Sequence, residues 1–189
     1  MRRRRFLKTL STAPLAWVEP GLADGHGRFA ISSAPTERAA LSAEKWLSLE
    51  VIQDHLLPSE PDNPGAPGAR EVNATAYLDR AMAVPGFDAQ QRALILDGVG
   101  WLDELSRVRV GMPFRSAAPA SREDLLHEVA ATPAGERWLS SLIGFTLEAL
   151  LADPLYGGNP RGIGWNWLDH DPGQPRPTPD NLFGKLGRG

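Results

Sequence analysis

Prolines cut this chain into lengths that suit helices. Pro58, Pro85, Pro133 and Pro154 bound segments in which apolar residues recur three and four apart, the spacing of one helix face. Proline either stops a helix or sits in its first turn. After Ser42, a candidate N-cap, Trp46, Leu49, Ile52 and Leu56 share a face. Residues 72–84 pair Tyr77 with Ala81 and Leu78 with Met82. Asp88 and Gln91 are spaced as a capping box. They open a long helix with Ile95, Val99 and Leu102 on one stripe and Trp101, Leu105 and Val108 beside it. Gly98 and Gly100 weaken that helix by up to ~1 kcal/mol each, which predicts a close crossing or a kink. Ser121 and Asp124 predict the start of a fourth, short helix carrying Leu125, Leu126 and Val129. Thr132-Pro133 ends it and opens a fifth, with Trp138, Leu142, Phe145 and Ala149 in line and Leu139, Ile143 and Leu150 beside them. The expectation is all-α: a bundle of about five helices.

Two stretches break the pattern. Residues 58–68 hold a proline at every third position, so this loop reads as extended. From residue 154 the chain is dense in Gly and Pro, with no period of 3.6 or 2. Such a tail reads as an irregular arm without a helix, unable to bury Trp165 and Trp167 in a core of its own. Aromatic side chains placed there are typical anchors for a partner surface. Tyr156, Gly157, Gly158, Asn159, Trp165 and Trp167 are therefore the candidate partner-binding residues. The plainer alternative is a tail folded back on its own bundle. Trp46, Trp101 and Trp138 lie on apolar stripes and read as core.

At the other end, Arg3-Arg4-Arg5-Phe6-Leu7-Lys8 resembles the twin-arginine export signal, with Arg3, Arg4, Phe6, Leu7 and Lys8 as its readable positions. The run that follows it is too short and polar to span a bilayer. Gly21-Leu22-Ala23 offers small residues for cleavage before Asp24. The resulting division is a signal peptide at 1–23, an extended linker at 24–40, a helical domain at 41–153 and the arm at 154–189. The expected location is the periplasm, peripheral to the inner membrane, with no span after cleavage.

Charge and cysteine content narrow the function. The leader carries five of the 20 basic groups and one of the 23 acidic groups, so the rest of the chain has a formal charge of −7. That sign repels phosphate backbones and argues against nucleic acid. Cysteine is absent, so neither covalent haem attachment nor a thiolate-held cluster is expected here. Gly157-Gly158 and Gly162-Ile163-Gly164 follow a helix, not a strand, and do not make a dinucleotide fingerprint. The histidines are His26, His55, His127 and His170. His55 falls in the last helical turn, where a cation suits the helix dipole. Asp169-His170-Asp171 reads as a solvated acidic turn, and His127 as helix surface. One enzymatic or metal-binding alternative is a cluster of Glu50, Asp54 and His55; a further alternative is a binding module whose tail closes over a ligand. The sequence offers no catalytic, cofactor-binding or metal-binding residue beyond these alternatives.

Several segments together resemble a family. Gln53-Asp54-His55-Leu56-Leu57-Pro58, Pro64-Gly65-Ala66, Pro67-Gly68-Ala69 and Asn73-Ala74-Thr75-Ala76-Tyr77-Leu78 resemble the small (gamma) subunit of gluconate 2-dehydrogenase, subunit 3. The sharpest match is Asp153-Pro154-Leu155-Tyr156-Gly157-Gly158-Asn159 with the downstream Gly164-Trp165. The resemblance implies a large partner subunit carrying FAD, a multihaem cytochrome c subunit, and export through the twin-arginine translocase. It implies no cofactor in this chain, which would act as an accessory subunit and export escort. The chain departs from the family pattern after Gly164-Trp165, where it reads Asn166-Trp167-Leu168-Asp169-His170.

Overall fold

The computed structural model describes residues 42–60 and 65–181, and these contain six α-helices and no strand. The export motif at Arg3, Arg4, Phe6, Leu7 and Lys8, the linker at 24–40, and residues 61–64 and 182–189 lie outside the described residues. The helices are α1 (Ala43–Leu56), α2 (Ala74–Ala83), α3 (Ala89–Val110), α4 (Pro119–Ala130), α5 (Pro133–Leu151) and α6 (Ile163–Leu168). Short 3₁₀ turns stand at Phe114–Ser116, Pro154–Tyr156 and Pro160–Gly162.

Local chemistry explains most of the boundaries. Ser42 caps α1, Asp88 accepts from the Gln91 N–H at 2.6 Å to cap α3, and Thr132 accepts from Gly135 to cap α5. At α3 the Gln91 side-chain amide donates to Ser141 at 3.4 Å. α2 starts at Ala74, since Asn73 adopts a left-handed φ of 57° and turns the chain first. α4 starts at Pro119, not at Ser121, because proline occupies its first turn without losing a needed N–H. Past residue 154 the expected irregular arm is corrected: Ile163–Leu168 is helical.

α5 is the central element and packs against each of the other five helices. It buries Trp138, Leu139, Leu142, Phe145, Ala149 and Leu150, the stripe that the spacing predicts. The crossing with α3 is the tightest. A Cβ at Gly98 would lie 2.3 Å from the Trp138 ring, and the Trp138 indole donates to the Ile95 carbonyl at 3.2 Å. Gly98 is thus a close-approach position, whereas Gly100 faces open space. A buried polar bridge joins α1, α2 and α5. Gln53 donates to Thr146 at 3.2 Å, Thr75 donates to Gln53 at 2.7 Å, and Thr146 donates to the Leu142 carbonyl. With every partner satisfied, this bridge sets helix register without the cost of an orphaned buried amide.

The core reading of Trp101 is corrected. It is 42 % exposed, beside Val108 at 69 %, because α3 turns its Ile95, Val99, Leu102 and Ser106 stripe inward; of the flanking stripe only Leu105 packs against the core.

The two glycines of α3 give a test. Gly98→Ala forces a methyl group into the Trp138 ring and should lower unfolding free energy by about 1–3 kcal/mol. Gly100→Ala meets no atom and should raise it by up to ~1 kcal/mol. Urea unfolding of the two variants measures both signs.

Candidate functional site

A helix leaves its last carbonyls unpaired, and α5 ends at Leu151 in the middle of the protein's packed end. The chain satisfies them with residues from further on. The Leu151 carbonyl accepts from the Trp165 indole at 2.7 Å, and the Ala152 carbonyl accepts from the Asn159 side-chain amide at 3.0 Å. Asn159 is fully buried; its side-chain oxygen takes the Gly164 N–H at 2.7 Å, and its own N–H donates to the Val72 carbonyl at 3.0 Å. One asparagine therefore ties α5, the turn before α2 and the start of α6 together.

The return path depends on backbone that few residues adopt. Asp153 caps the turn after α5 by accepting from the Leu155 N–H at 3.0 Å. Gly157, Asn159, Arg161 and Gly162 then take left-handed φ values of 100°, 47°, 58° and 70° and bring the chain back across α5. Gly158 and Gly164 lie against the helix itself. A Cβ would stand 2.6 Å from the Ala149 carbonyl oxygen at the first and 2.0 Å from that of Leu150 at the second. Only hydrogen fits there.

These contacts relocate the expected partner-binding residues. Trp165 is 7 % exposed and hydrogen-bonded within its own chain, so it is not an anchor held out for a partner. The tail needs no core of its own, because it uses the end of α5. Asn159 and Gly158 are buried with it. Trp167 remains 37 % exposed, next to Leu168 at 46 %. Tyr156 is half-buried and lines an open groove of ≈ 450 Å³ with Tyr77, Leu147, Leu151 and others. Leu147 and Leu151 are 44 % and 48 % exposed, so this wall is apolar and accessible. Tyr77 donates to Glu148 at 3.2 Å; burial, then the Glu148 carboxylate, pushes its phenol up to about 12. It stays a neutral donor at physiological pH.

Residues 68–74 join the same end. Ala69, Val72, Ala74, Ala149 and Leu150 form a small core with Leu57, Tyr77 and Ile163 against it, and the Ala69 N–H donates to the Leu57 carbonyl at 2.7 Å. Glu71 clamps the loop by accepting from the Ser59 hydroxyl and the Gly68 N–H. The Ser59 bond is the chief reason its carboxyl lies below the ordinary range.

Glu50 and Asp54 share Arg70, while His55 turns to a different partner. Arg70 Nε stands 3.2 Å from Glu50 and 3.7 Å from Asp54, while His55 Nε2 meets Glu123 of α4 at 3.0 Å. Among the described residues no group of three or more His, Cys, Asp or Glu side chains is arranged to hold a metal ion. His127 also meets Glu123, at 3.3 Å, and the His170 ring lies 6.5 Å from that of Trp165. Sequence reasoning missed Arg70 and Glu123, whose roles depend on tertiary neighbours that no spacing signals.

The buried indole and amide carry a prediction. Trp165→Ala should cost about 3 kcal/mol or more as a cavity opens. Asn159→Ala should cost about 1–3 kcal/mol by orphaning the Gly164 N–H and the Ala152 carbonyl. Thermal melts of the chain without any partner measure both; an unchanged melting temperature for Trp165→Ala would return the tail to the role of a free arm.

No curated protein and no solved structure matches the chain. The family model described as gluconate 2-dehydrogenase subunit 3 matches residues 43–173, which takes in the whole bundle, the α5 cap and α6. Every segment quoted for the resemblance falls within the matched residues, and the chain belongs to the gluconate 2-dehydrogenase subunit 3 family.

Proposed function

We propose that this chain is the non-catalytic accessory subunit of a periplasmic FAD-dependent dehydrogenase complex of the gluconate 2-dehydrogenase type. FAD resides in the large subunit, which oxidises a sugar acid or polyol, and haem c in a cytochrome subunit that takes the electrons. The chain escorts the folded flavoprotein through the twin-arginine translocase and stays bound to it as a structural partner, peripheral to the inner membrane. Family membership over residues 43–173 is the observation that carries this reading. The Arg3-Arg4-Arg5-Phe6-Leu7-Lys8 motif supports the escort role. On this reading the flavoprotein covers the open groove where Tyr156, Leu147 and Leu151 are accessible, since exposed aromatic and aliphatic side chains on a rigid support are what such interfaces use.

Export and association are tested together. Changing Arg3, Arg4 and Arg5 to Lys should leave this chain and its flavoprotein in the cytoplasm, read by fractionation and flavin absorbance. A tagged wild-type chain should co-purify a flavin-bearing subunit, and Leu147→Asp with Leu151→Asp should reduce that yield tenfold or more. A flavoprotein that reaches the periplasm without the arginines refutes the escort role, and a tagged chain that captures none refutes the subunit role.

A further inference from the structure

Beyond α6 the chain runs as a strap, residues 171–181, back over the α5 cap. Its backbone hydrogen bonds at Gly173, Arg176 and Thr178 go to side chains within the strap itself. The Arg176 side chain reaches further. Its Nη2 and Nε lie 2.8 and 2.9 Å from one carboxylate oxygen of Asp153, and its guanidinium carbon sits 4.8 Å from the centre of the Trp165 ring. His170 stands 6.5 Å from the same ring, and a cavity of ≈ 220 Å³ lies between Asp153, Trp165, His170 and the prolines of the strap.

The two halves of this contact differ. The Asp153 side chain is 12 % exposed and Trp165 7 %, and both are fixed by hydrogen bonds to the backbone around the α5 end. Arg176 is 42 % exposed and sits on a strap that water surrounds. It also lies past residue 173, where the family match stops, while Asp153 and Trp165 lie within the match. A nearly buried carboxylate beside an aromatic ring is a receptor for a planar cation, through charge-assisted hydrogen bonds and cation–π attraction. Arg176 is the exchangeable member of the pair, since it stands on the exposed strap while hydrogen bonds hold Asp153 and Trp165 in place.

We propose that Asp153 and Trp165 form a guanidinium-binding notch, which this chain's own Arg176 fills as a latch and which an arginine of a partner protein enters by displacing it. The notch belongs to this chain alone; that the arginine is borne by a flavoprotein subunit rests on the function proposed above. Losing Arg176 leaves the Asp153 carboxylate nearly buried and short of a cation, a costly state that an added guanidinium relieves.

The test uses the mature chain with no partner, so its failure is separate from failure of the accessory-subunit reading. In ¹H–¹⁵N spectra, the Trp165 indole signal, assigned with Trp165→Phe, should move in both Arg176→Ala and Arg176→Gln. Titration with N-acetyl-arginine amide should return it saturably toward its wild-type position, with a several-fold weaker response to N-acetyl-lysine amide. Wild type should show no saturable response at the same concentrations, and adding Asp153→Asn to Arg176→Ala should abolish the response. The proposal is overturned if neither Arg176 variant responds saturably, if wild type responds as they do, or if the Asp153→Asn chain responds undiminished.

Discussion

Pairing of the carbonyls at the end of α5 governs this structure. α5 touches all five other helices, so its C-terminus cannot open to water without disturbing the cluster around Ala149 and Leu150. A helix end placed in the interior needs donors brought from elsewhere. The Asn159 amide and the Trp165 indole supply them from 7 and 14 residues downstream. Everything in the Asp153–Trp165 segment follows from that requirement. The left-handed turns reverse the chain, Gly158 and Gly164 let it lie on the helix, and α6 places the indole.

A motif so dense in Gly, Asn and aromatics invites a ligand-binding explanation, but the geometry assigns it first to scaffolding. Asp153, Asn159 and Trp165 all hold hydrogen bonds to backbone groups of the chain itself. The surface which that scaffold makes rigid includes the Tyr156 and Leu151 wall and the notch filled by Arg176. Rigid support lowers the entropic cost of association, because a fixed surface has less freedom to lose.

The bundle was legible in the sequence because its signals are local. The caps at Ser42, Asp88 and Thr132 and the stripes of α1, α3 and α5 act within a few residues of one another. Gly98 also announced a close contact, though not that Trp138 made it. Trp101 was misread because a stripe's hydrophobicity does not say which of two adjacent faces the neighbouring helices will cover. The tail was misread for a related reason. Gly and Pro exclude a long helix, yet six residues suffice for α6 when another element provides the surface and the hydrogen-bond acceptor. Gln53 and Arg70 carry no periodic signal at all, since their partners on α5 and α1 are set by tertiary packing. Among Tyr156, Gly157, Gly158, Asn159, Trp165 and Trp167, which side chains face outward was decided by the fold and not by residue type.

The central claim is that the α5 cap forms within this chain and needs no partner. Amide hydrogen exchange on the isolated protein tests it most directly, at the Asn159 and Gly164 N–H groups and the Trp165 indole. Bonded to Val72, Asn159 and Leu151 respectively, all three should exchange slowly, on the scale of amides in the middle of α5. Exchange of these three at the rate of an open loop, with protection appearing only when a partner subunit is added, would contradict the account and make the cap a product of assembly.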